Sequence, residues 1–411
     1  MLRLAFLIAF MLSIGLLPLP AAAPSIDFAA APHNYWDRAP HDPFALLLEK
    51  VKRGEQTLDT KDDKAFLTSL LKALDVPSSS QMLVYSATSL QKEIITPYNP
   101  RALYFNESSY VGFVPGGRVE VTGLEPELGP IFYILGRLTP GTMPEVQRSR
   151  RCMSCHADTN TNYLPGLVVE SVAIDARAAS LETYRHGESG HGIPLDLRFG
   201  GWHVTGAPAS MKHKGNLLGR LTPQGLDSRL IPPGKLWNFG LHLVPTSDLL
   251  ANMLHEHQLG FVNRVTEADY LTRQRLQDGG GKLDAKAGAE LDQKAKELAR
   301  YILFADEAAL PPGGITGSPD FIKEFQRNRK VTATGLSLKD FDLKTRLFKN
   351  RCSYMIATPF WAAVPAEMKQ RVYAVMRTVL TDGGGGKEFA YLGAQERANI
   401  LAILREVIIA K

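Results

Sequence analysis

The chain has 411 residues, 45% hydrophobic and 22% charged, a composition typical of a globular protein with one or two cores. Its net charge of +5 comes from 47 basic and 42 acidic residues without a basic run, so nothing in it favours nucleic acid as a partner. Three cysteines are too few for a disulfide framework in a chain of this size.

The N-terminus has the pattern of an export signal. Arg3 precedes the apolar run LAFLIAFMLSIGLLPLP, and residues 21–23 are alanines. We therefore predict a signal peptide over residues 1–23 and export, in a bacterium to the periplasm. An uncleaved anchor is the alternative, because Pro24 would directly follow the cleavage site. No later stretch is long and apolar enough to cross a membrane, so no transmembrane segment is expected in the mature chain.

Residues 24–95 are predicted to form an N-terminal lead with two helices. Phe44, Leu47, Leu48 and Val51 recur at helical spacing, and a second helix is expected over about residues 61–74. Residues 96–245 are predicted to form a β-rich unit. From residue 82 onward, the chain carries short β-branched and aromatic segments separated by turn residues: MLVYSAT, RALYFN, YVGFV, VEVTGL, IFYILGRL, LVVESVAI and GGWHVTG.

Residues 246–411 are predicted to be helical, with glycine connectors at residues 279–281 and 383–386. Four stretches combine an apolar face with charges at helical spacing: SDLLANMLHEHQLGFVNRVTEADYLTRQRL, DQKAKELARYILFADEAAL, EMKQRVYAVMRTVL and QERANILAILREVI. The expected class is therefore α+β, with a short helical lead, a mixed β-rich unit and a helical C-terminal half.

The string Cys152-Met153-Ser154-Cys155-His156, a CxxCH, lies in the β-rich unit. Two thiols one helical turn apart can form thioethers with the two vinyl groups of haem, and the adjacent His156 can then reach the iron. Zinc would need two more Cys or His ligands at defined spacing, normally a second CxxC, and the chain has no second CxxC. A redox dithiol is expected beside a strand-to-helix unit of thioredoxin type, and the sequence shows no such unit. We therefore predict one covalent haem c on Cys152 and Cys155, with His156 as the proximal ligand.

The sixth iron position decides between electron carriage and catalysis. Our first candidate is His257, which falls on the apolar stripe of the long helix that begins near Ser247, whereas His255 is turned toward the opposite face of that helix. The alternative for His257 is an ordinary hydrogen-bonded core histidine. His191 and His213 are the other candidates for the iron, because they lie closer to the CxxCH in a glycine-rich stretch.

Other residues near the CxxCH have weaker claims. His203 or His191 could act as a distal base, and Trp202 and His203 should face opposite ways, with one of them buried. A buried, unreactive thiol is expected at Cys352. Thioether ligands and partners for the haem propionates are also conceivable, the alternatives being packing residues and surface charges: Met143, Met153, Met211, Arg151, Arg198 and Lys212.

The chain resembles a family of exported bacterial proteins described as cytochrome c domain-containing. The resemblance rests on an ordered set of stretches from about residue 78 to the C-terminus, among them SSSQMLVYSATSLQ, CMSCH, RFGGWHVTG, EHQLGFVNRVT, ARYILFADEAALP and RCSYMIATPFWAAVP. It implies covalent haem on Cys152 and Cys155 with His156 proximal, and it places histidines at 191, 213 and 257, but it implies no reaction. The chain departs from the family at Pro208, where relatives often have histidine.

Together these features predict a periplasmic monohaem c-type cytochrome that passes single electrons to a redox partner protein. The alternatives are a haem enzyme, peroxidase-like or acting on a small molecule, and a haem-based sensor. Both differ from an electron carrier in needing an open sixth iron position. More than a hundred residues precede the CxxCH and strands follow it, so the small class I cytochrome c fold is not expected.

Overall fold

A computed structural model describes residues 26–185, 189–232, 234–381 and 385–409. The predicted signal peptide and residues 383 and 384 lie outside these ranges. The helices are α1 Pro43–Lys52, α2 Asp63–Ala73, α3 Met153–His156, α4 Leu249–Asp278, α5 Ala285–Ile302, α6 Pro319–Gln326, α7 Pro359–Ala362, α8 Ala366–Thr381 and α9 Ala394–Ile403. The strands are β1 Met82–Val84, β2 Arg101–Phe105, β3 Ser109–Phe113, β4 Val119–Glu125, β5 Gly129–Leu135, β6 Val146–Arg148, β7 Val172–Ile174, β8 Ser180–Thr183, β9 Trp202–His203, β10 Leu217–Thr222 and β11 Gly225–Leu230.

The predicted α+β class is confirmed. Seven strands form an antiparallel sheet in the order β6-β5-β4-β3-β2-β1-β9, and helices dominate the C-terminal half. The chain does not have the small, all-helical class I cytochrome architecture. Strand β1 pairs with both β2 and β9, so the sheet extends into the segment that we assigned to the N-terminal lead.

Two apolar cores lie on opposite faces of the sheet. One face packs against α1 and α2 through residues such as Phe44 and Phe66. The other packs against the C-terminal helices in one continuous cluster that contains Phe132 of the sheet and Leu254 of α4. Helix α4 is central, because each residue from 249 to 262 is buried. Within the described ranges, no helix is both long and apolar enough to span a bilayer.

Most of the predicted elements are present, with differences at their ends. Helix α5 spans Ala285–Ile302, so it both starts and ends before the predicted stretch over residues 292–310. It ends at Ile302 because Phe304 and Asp306 adopt left-handed backbone conformations with φ of 58° and 62°. The LVVESVAI segment is a strand only at its end, in β7. Helix α6 and the hairpin β10–β11 were not predicted. Strand β11 is largely exposed and has no alternation of apolar and polar residues.

Candidate functional site

The CxxCH occupies a single helical turn directly after β6. A short 3-10 turn, Arg150–Cys152, leads into α3, and the Ser149 amide donates to the Phe132 carbonyl, which ties the start of the turn to β5. Cys152 is half-buried against the core that faces α4, whereas Cys155 is exposed. Both are free thiols three residues apart, a spacing that places them on one side of the turn.

His156 is held in one tautomer by a backbone carbonyl. Its Nδ1 lies 2.9 Å from the carbonyl oxygen of Gly166, and because a carbonyl only accepts, Nδ1 carries the proton. The Gly166 amide donates back to the His156 carbonyl at 2.8 Å. Nε2 therefore keeps its lone pair, and within the described residues it has no hydrogen-bond partner and is not shut off from solvent.

This arrangement is the one that a metal-binding histidine requires. Ligating histidines donate their second ring N–H to a carbonyl or carboxylate, which fixes the ring and the tautomer. Burial, with a smaller contribution from the Arg101 guanidinium, lowers the pKa of His156, so the imidazole is neutral at pH 7. Two adjacent thiols and a neutral imidazole with a free Nε2 are the donor set of a c-type haem, and the residues present fit that group.

Gly166 and its neighbour Leu167 are fixed in turn by their surroundings. A Cβ on Gly166 would lie 2.6 Å from Thr161 Cγ2, so no larger residue fits there without a shift. The Asn263 side chain of α4 binds both backbone groups of Leu167, accepting from its amide at 2.7 Å and donating to its carbonyl at 2.8 Å. The segment that orients His156 is thus bound to the central helix.

An ion pair lies on the sheet face beside the CxxCH. Arg101 Nη1 is 3.0 Å from Glu120 Oε2, and both side chains are largely buried. The Arg101 Nε is buried without a partner among the described residues. Cys152 is near enough to Glu120 for that carboxylate to contribute, after burial, to raising the pKa of the thiol. Sequence analysis did not single out Arg101, because one arginine in a strand carries no distinctive signal.

His257 and His191 form a buried pair far from the CxxCH in sequence. Their Nδ1 atoms lie 2.8 Å apart, and His191 Nε2 lies 3.3 Å from the Ala305 carbonyl. His257 Nε2 lies 2.9 Å from Ser353 Oγ, which accepts from the Met355 amide and so has its proton free to donate. Both histidines therefore use both ring nitrogens in hydrogen bonds.

This chain of hydrogen bonds has one neutral assignment. His191 donates from Nε2 to the carbonyl, so its Nδ1 accepts from His257, whose Nε2 accepts from Ser353. Burial lowers the pKa of His257 to about 3 and that of His191 well below 6.5, so both rings remain uncharged at neutral pH. Either residue would have to give up a buried hydrogen bond to bind iron.

His213 presents the opposite tautomer from His156. The Gly215 amide donates to its Nδ1 at 3.0 Å, so in the neutral ring the proton is on Nε2. The outward nitrogen of this half-buried residue is therefore a donor. For Nε2 to bind a metal, the proton would have to move to Nδ1, and His213 would then lose its hydrogen bond from the Gly215 amide.

His203 lies on the sheet face remote from α4. Trp202 and His203 face opposite ways as predicted, but the structure buries both, because β9 has a core on each side. The His203 ring stacks on Trp237 with centroids 3.4 Å apart. Trp202 packs instead with the cluster that faces α4.

The remaining candidates have varied surroundings. Arg198 is buried in an ion pair with Glu256 at 3.2 Å, whereas Arg151 and Lys212 are exposed. Met211 is buried in the core, Met143 and Met153 are half-buried, and Cys352 is fully buried as expected. Burial also strongly raises the pKa of the Cys352 thiol, which keeps it protonated and unreactive.

A cleft of about 550 Å³ opens between α4, α5 and the turn after the CxxCH, and His191 is the one predicted ligand that lines it. Its walls are charged, which suits an apolar macrocycle poorly: Arg264, Glu267, Lys294, Glu297 and Arg300. Comparisons with protein-family models, curated proteins and solved structures find no match for the chain.

Proposed function

We propose that the protein is a periplasmic monohaem c-type cytochrome that carries single electrons. The observation that carries this proposal is the tautomer of His156, whose Nδ1–H is given to the Gly166 carbonyl and whose Nε2 is left free beside two thiols. When bound, the haem supplies an iron that alternates between the ferric and ferrous states.

The chain's own residues orient and surround that group. Cys152 and Cys155 would anchor it, and His156 would bind the iron from one side. Arg101 supplies a positive charge within the largely buried ion pair with Glu120, where it would act on the potential of the iron or on a propionate. These roles are binding and tuning, as expected of an electron carrier.

The surface around the CxxCH suits an anionic partner. Arg150 and Arg151 are exposed on the turn that carries the thiols, and Cys155 is exposed beside them. We infer that electrons leave through this edge to a redox partner protein with an acidic contact surface, because complementary charge speeds encounter between electron-transfer proteins.

Haem attachment is tested by mass and spectrum. Wild-type protein made in a host with a c-type maturation system should carry the mass of one haem after denaturation, and Cys152→Ala with Cys155→Ala should lose it. Cys352→Ala is the matched control, because it removes a cysteine outside the motif and should retain the haem. Wild-type protein from this host with the mass of the chain alone would contradict the proposal.

Export is tested separately. N-terminal sequencing of the protein from a periplasmic extract should give a chain that begins near Pro24. The same protein found only in the cytoplasm with Met1 retained would contradict the periplasmic location.

A further inference from the structure

The two histidines of the His255-Glu256-His257 stretch in α4 face different neighbours. Residues two apart on a helix project about 200° from each other. His257 faces Tyr301 and Phe304, at ring-centroid distances of 5.6 and 4.4 Å. His255 instead faces the sheet, with its centroid 5.7 Å from Tyr110 and 5.4 Å from Phe105.

His156 lies over the same row of the sheet. Cross-strand pairing places Phe105, Tyr110, Thr122 and Phe132 side by side on β2, β3, β4 and β5. The His156 ring packs on Phe132 with centroids 4.3 Å apart. The two histidines therefore stand over the same sheet face, one near β2 and β3 and the other near β5.

The spacing along this row is of the order that a haem needs. Tyr110 and Phe132 are two strands apart, about 10 Å at the usual strand spacing. Two imidazoles on one metal, with metal–nitrogen bonds of about 2 Å, have ring centres roughly 6–7 Å apart. Rings that extend 4 to 6 Å from their aromatic neighbours can span the difference.

The sheet residue between Tyr110 and Phe132 has a small side chain that is only partly buried. Thr122 is half-buried, although its neighbours Tyr110 and Phe132 are buried. In the adjacent row, Gly112 has no side chain, and Leu103 beside it is also half-buried. The sheet face thus offers room for the edge of a flat ring between the two histidines.

The ring nitrogens of His255 are not engaged in hydrogen bonds within the described residues. The residue is only 6% exposed, yet neither ring nitrogen has a hydrogen-bond partner among the described residues, and neither is closed to solvent. An imidazole nitrogen that no protein group uses in a hydrogen bond is available to bind iron, whereas an engaged nitrogen must first give up its partner. His191, His213 and His257 are each engaged through Nδ1.

An ion pair lies on the same sheet face. Glu120 pairs with Gly112 in the adjacent row of the sheet, and its Oε2 is 3.0 Å from Arg101 Nη1. The Arg101 guanidinium therefore lies beside the row over which the two histidines stand.

From this geometry we propose that His255 is the second axial ligand of the haem, opposite His156. The inference rests on the proposed function, because it presupposes a haem on Cys152 and Cys155. It replaces our prediction of His257 with the residue two positions away. A haem bound by two histidines has no open iron position, which favours electron transfer over a peroxidase-like activity or a gas sensor.

The test compares His255→Ala with His257→Ala by spectroscopy. Wild-type protein should be low-spin in both oxidation states and should not bind carbon monoxide. His255→Ala should become high-spin when ferrous and bind one equivalent of carbon monoxide, and added imidazole should restore the low-spin spectrum. His257→Ala should remain low-spin, since its contacts with His191, Ser353 and Phe304 lie on the other side of α4 from His255.

The outcomes separate the two proposals. Haem attached to a His255→Ala protein that stays low-spin and ignores carbon monoxide would overturn His255 and leave the attachment proposal intact. Wild-type protein without covalent haem would overturn the attachment itself. Should His255→Ala fail to fold, electron paramagnetic resonance of the wild-type ferric protein decides: a low-spin signal from two imidazoles supports the proposal, and a high-spin signal overturns it.

Discussion

Gly166 and His156 share two hydrogen bonds, one from the imidazole Nδ1 to the glycine carbonyl at 2.9 Å and one from the glycine amide to the histidine carbonyl at 2.8 Å. The pair fixes ring and backbone together. A histidine so held presents the same nitrogen in the same direction whether or not a ligand is bound, which reduces the entropy lost when iron binds.

Gly166→Ala should disturb this pair. The new Cβ would lie 2.6 Å from Thr161 Cγ2 and 2.8 Å from Thr161 Cβ, so the Gly166 backbone or the Thr161 segment must shift. We expect a loss of about 1–3 kcal/mol in unfolding free energy of the holoprotein and a changed iron–histidine stretching frequency. Urea titration and resonance Raman spectra measure the two effects. Gly393→Ala is the control, because a Cβ there meets nothing within 4 Å. Equal behaviour of the two variants would contradict the role of Gly166.

Arg101→Leu should lower the haem reduction potential. The substitution removes a positive charge that disfavours the ferric state and leaves Glu120 without its partner. At an effective dielectric constant of about 20, a unit charge some 10 Å away shifts a potential by on the order of 50 mV. Potentiometric titration measures the shift, with Arg151→Leu as an exposed control. A shift no larger than that of the control would argue against a charge close to the iron.

Electron transfer to a small anion should depend on Arg150 and Arg151. Stopped-flow oxidation of the ferrous protein by ferricyanide should be several-fold slower at low salt in Arg150→Glu with Arg151→Glu, because the local field at the exposed edge changes sign. The difference should vanish near 1 M salt. Arg177→Glu, an exposed change in the β7–β8 turn, is the control. Equal rates for all three proteins at low salt would place the electron exit elsewhere.

Stability should fall below pH 6.5 because several histidines are buried as neutral rings. Burial lowers the pKa of His203 to about 3 and that of His242 to about 4. The unfolded chain, with pKa near 6.5, then binds more protons than the folded chain. The stabilisation is complete above pH 6.5 and is lost as the pH falls toward the folded values, by up to about 1.4 kcal/mol per histidine and pH unit.

His203→Phe tests this directly. The ring stacks on Trp237 with centroids 3.4 Å apart, so phenylalanine keeps this packing and removes the titrating group. Urea titrations at pH 7, 6 and 5 should show a shallower decline in unfolding free energy than the wild type. Exposed His41→Phe serves as the control. An unchanged slope in His203→Phe would show that His203 is not buried as a neutral ring.

Patterns within short segments predicted the class of the fold, which is confirmed, and the CxxCH, which stays a proposed attachment site. Helical spacing located α1 and α2, and β-branched runs located the strands of the sheet, because these signals are local. The CxxCH needed no tertiary information. The exposed hairpin β10–β11 was missed, because its residues pack on little and carry no alternation.

The proposal of His255 as a ligand could not be reached from such patterns. An apolar stripe indicates which side of a helix is inward only when the other side is exposed. Here residues 249–262 of α4 are all buried between the sheet and the C-terminal helices, so both His255 and His257 are inward. The pairing of His257 with His191, 66 residues away, depends on tertiary contacts that no spacing encodes.

The two hydrogen bonds between Asn263 and Leu167 make the proximal segment part of the helix that carries His255. Asn263 lies eight residues, about two turns, after His255, and Leu167 directly follows the glycine that holds His156. Both proposed axial ligands are therefore held by the same helix, α4. The helix would restrict changes in both iron–histidine bonds when the oxidation state changes. We therefore expect the nuclear reorganisation that accompanies each electron transfer to be small.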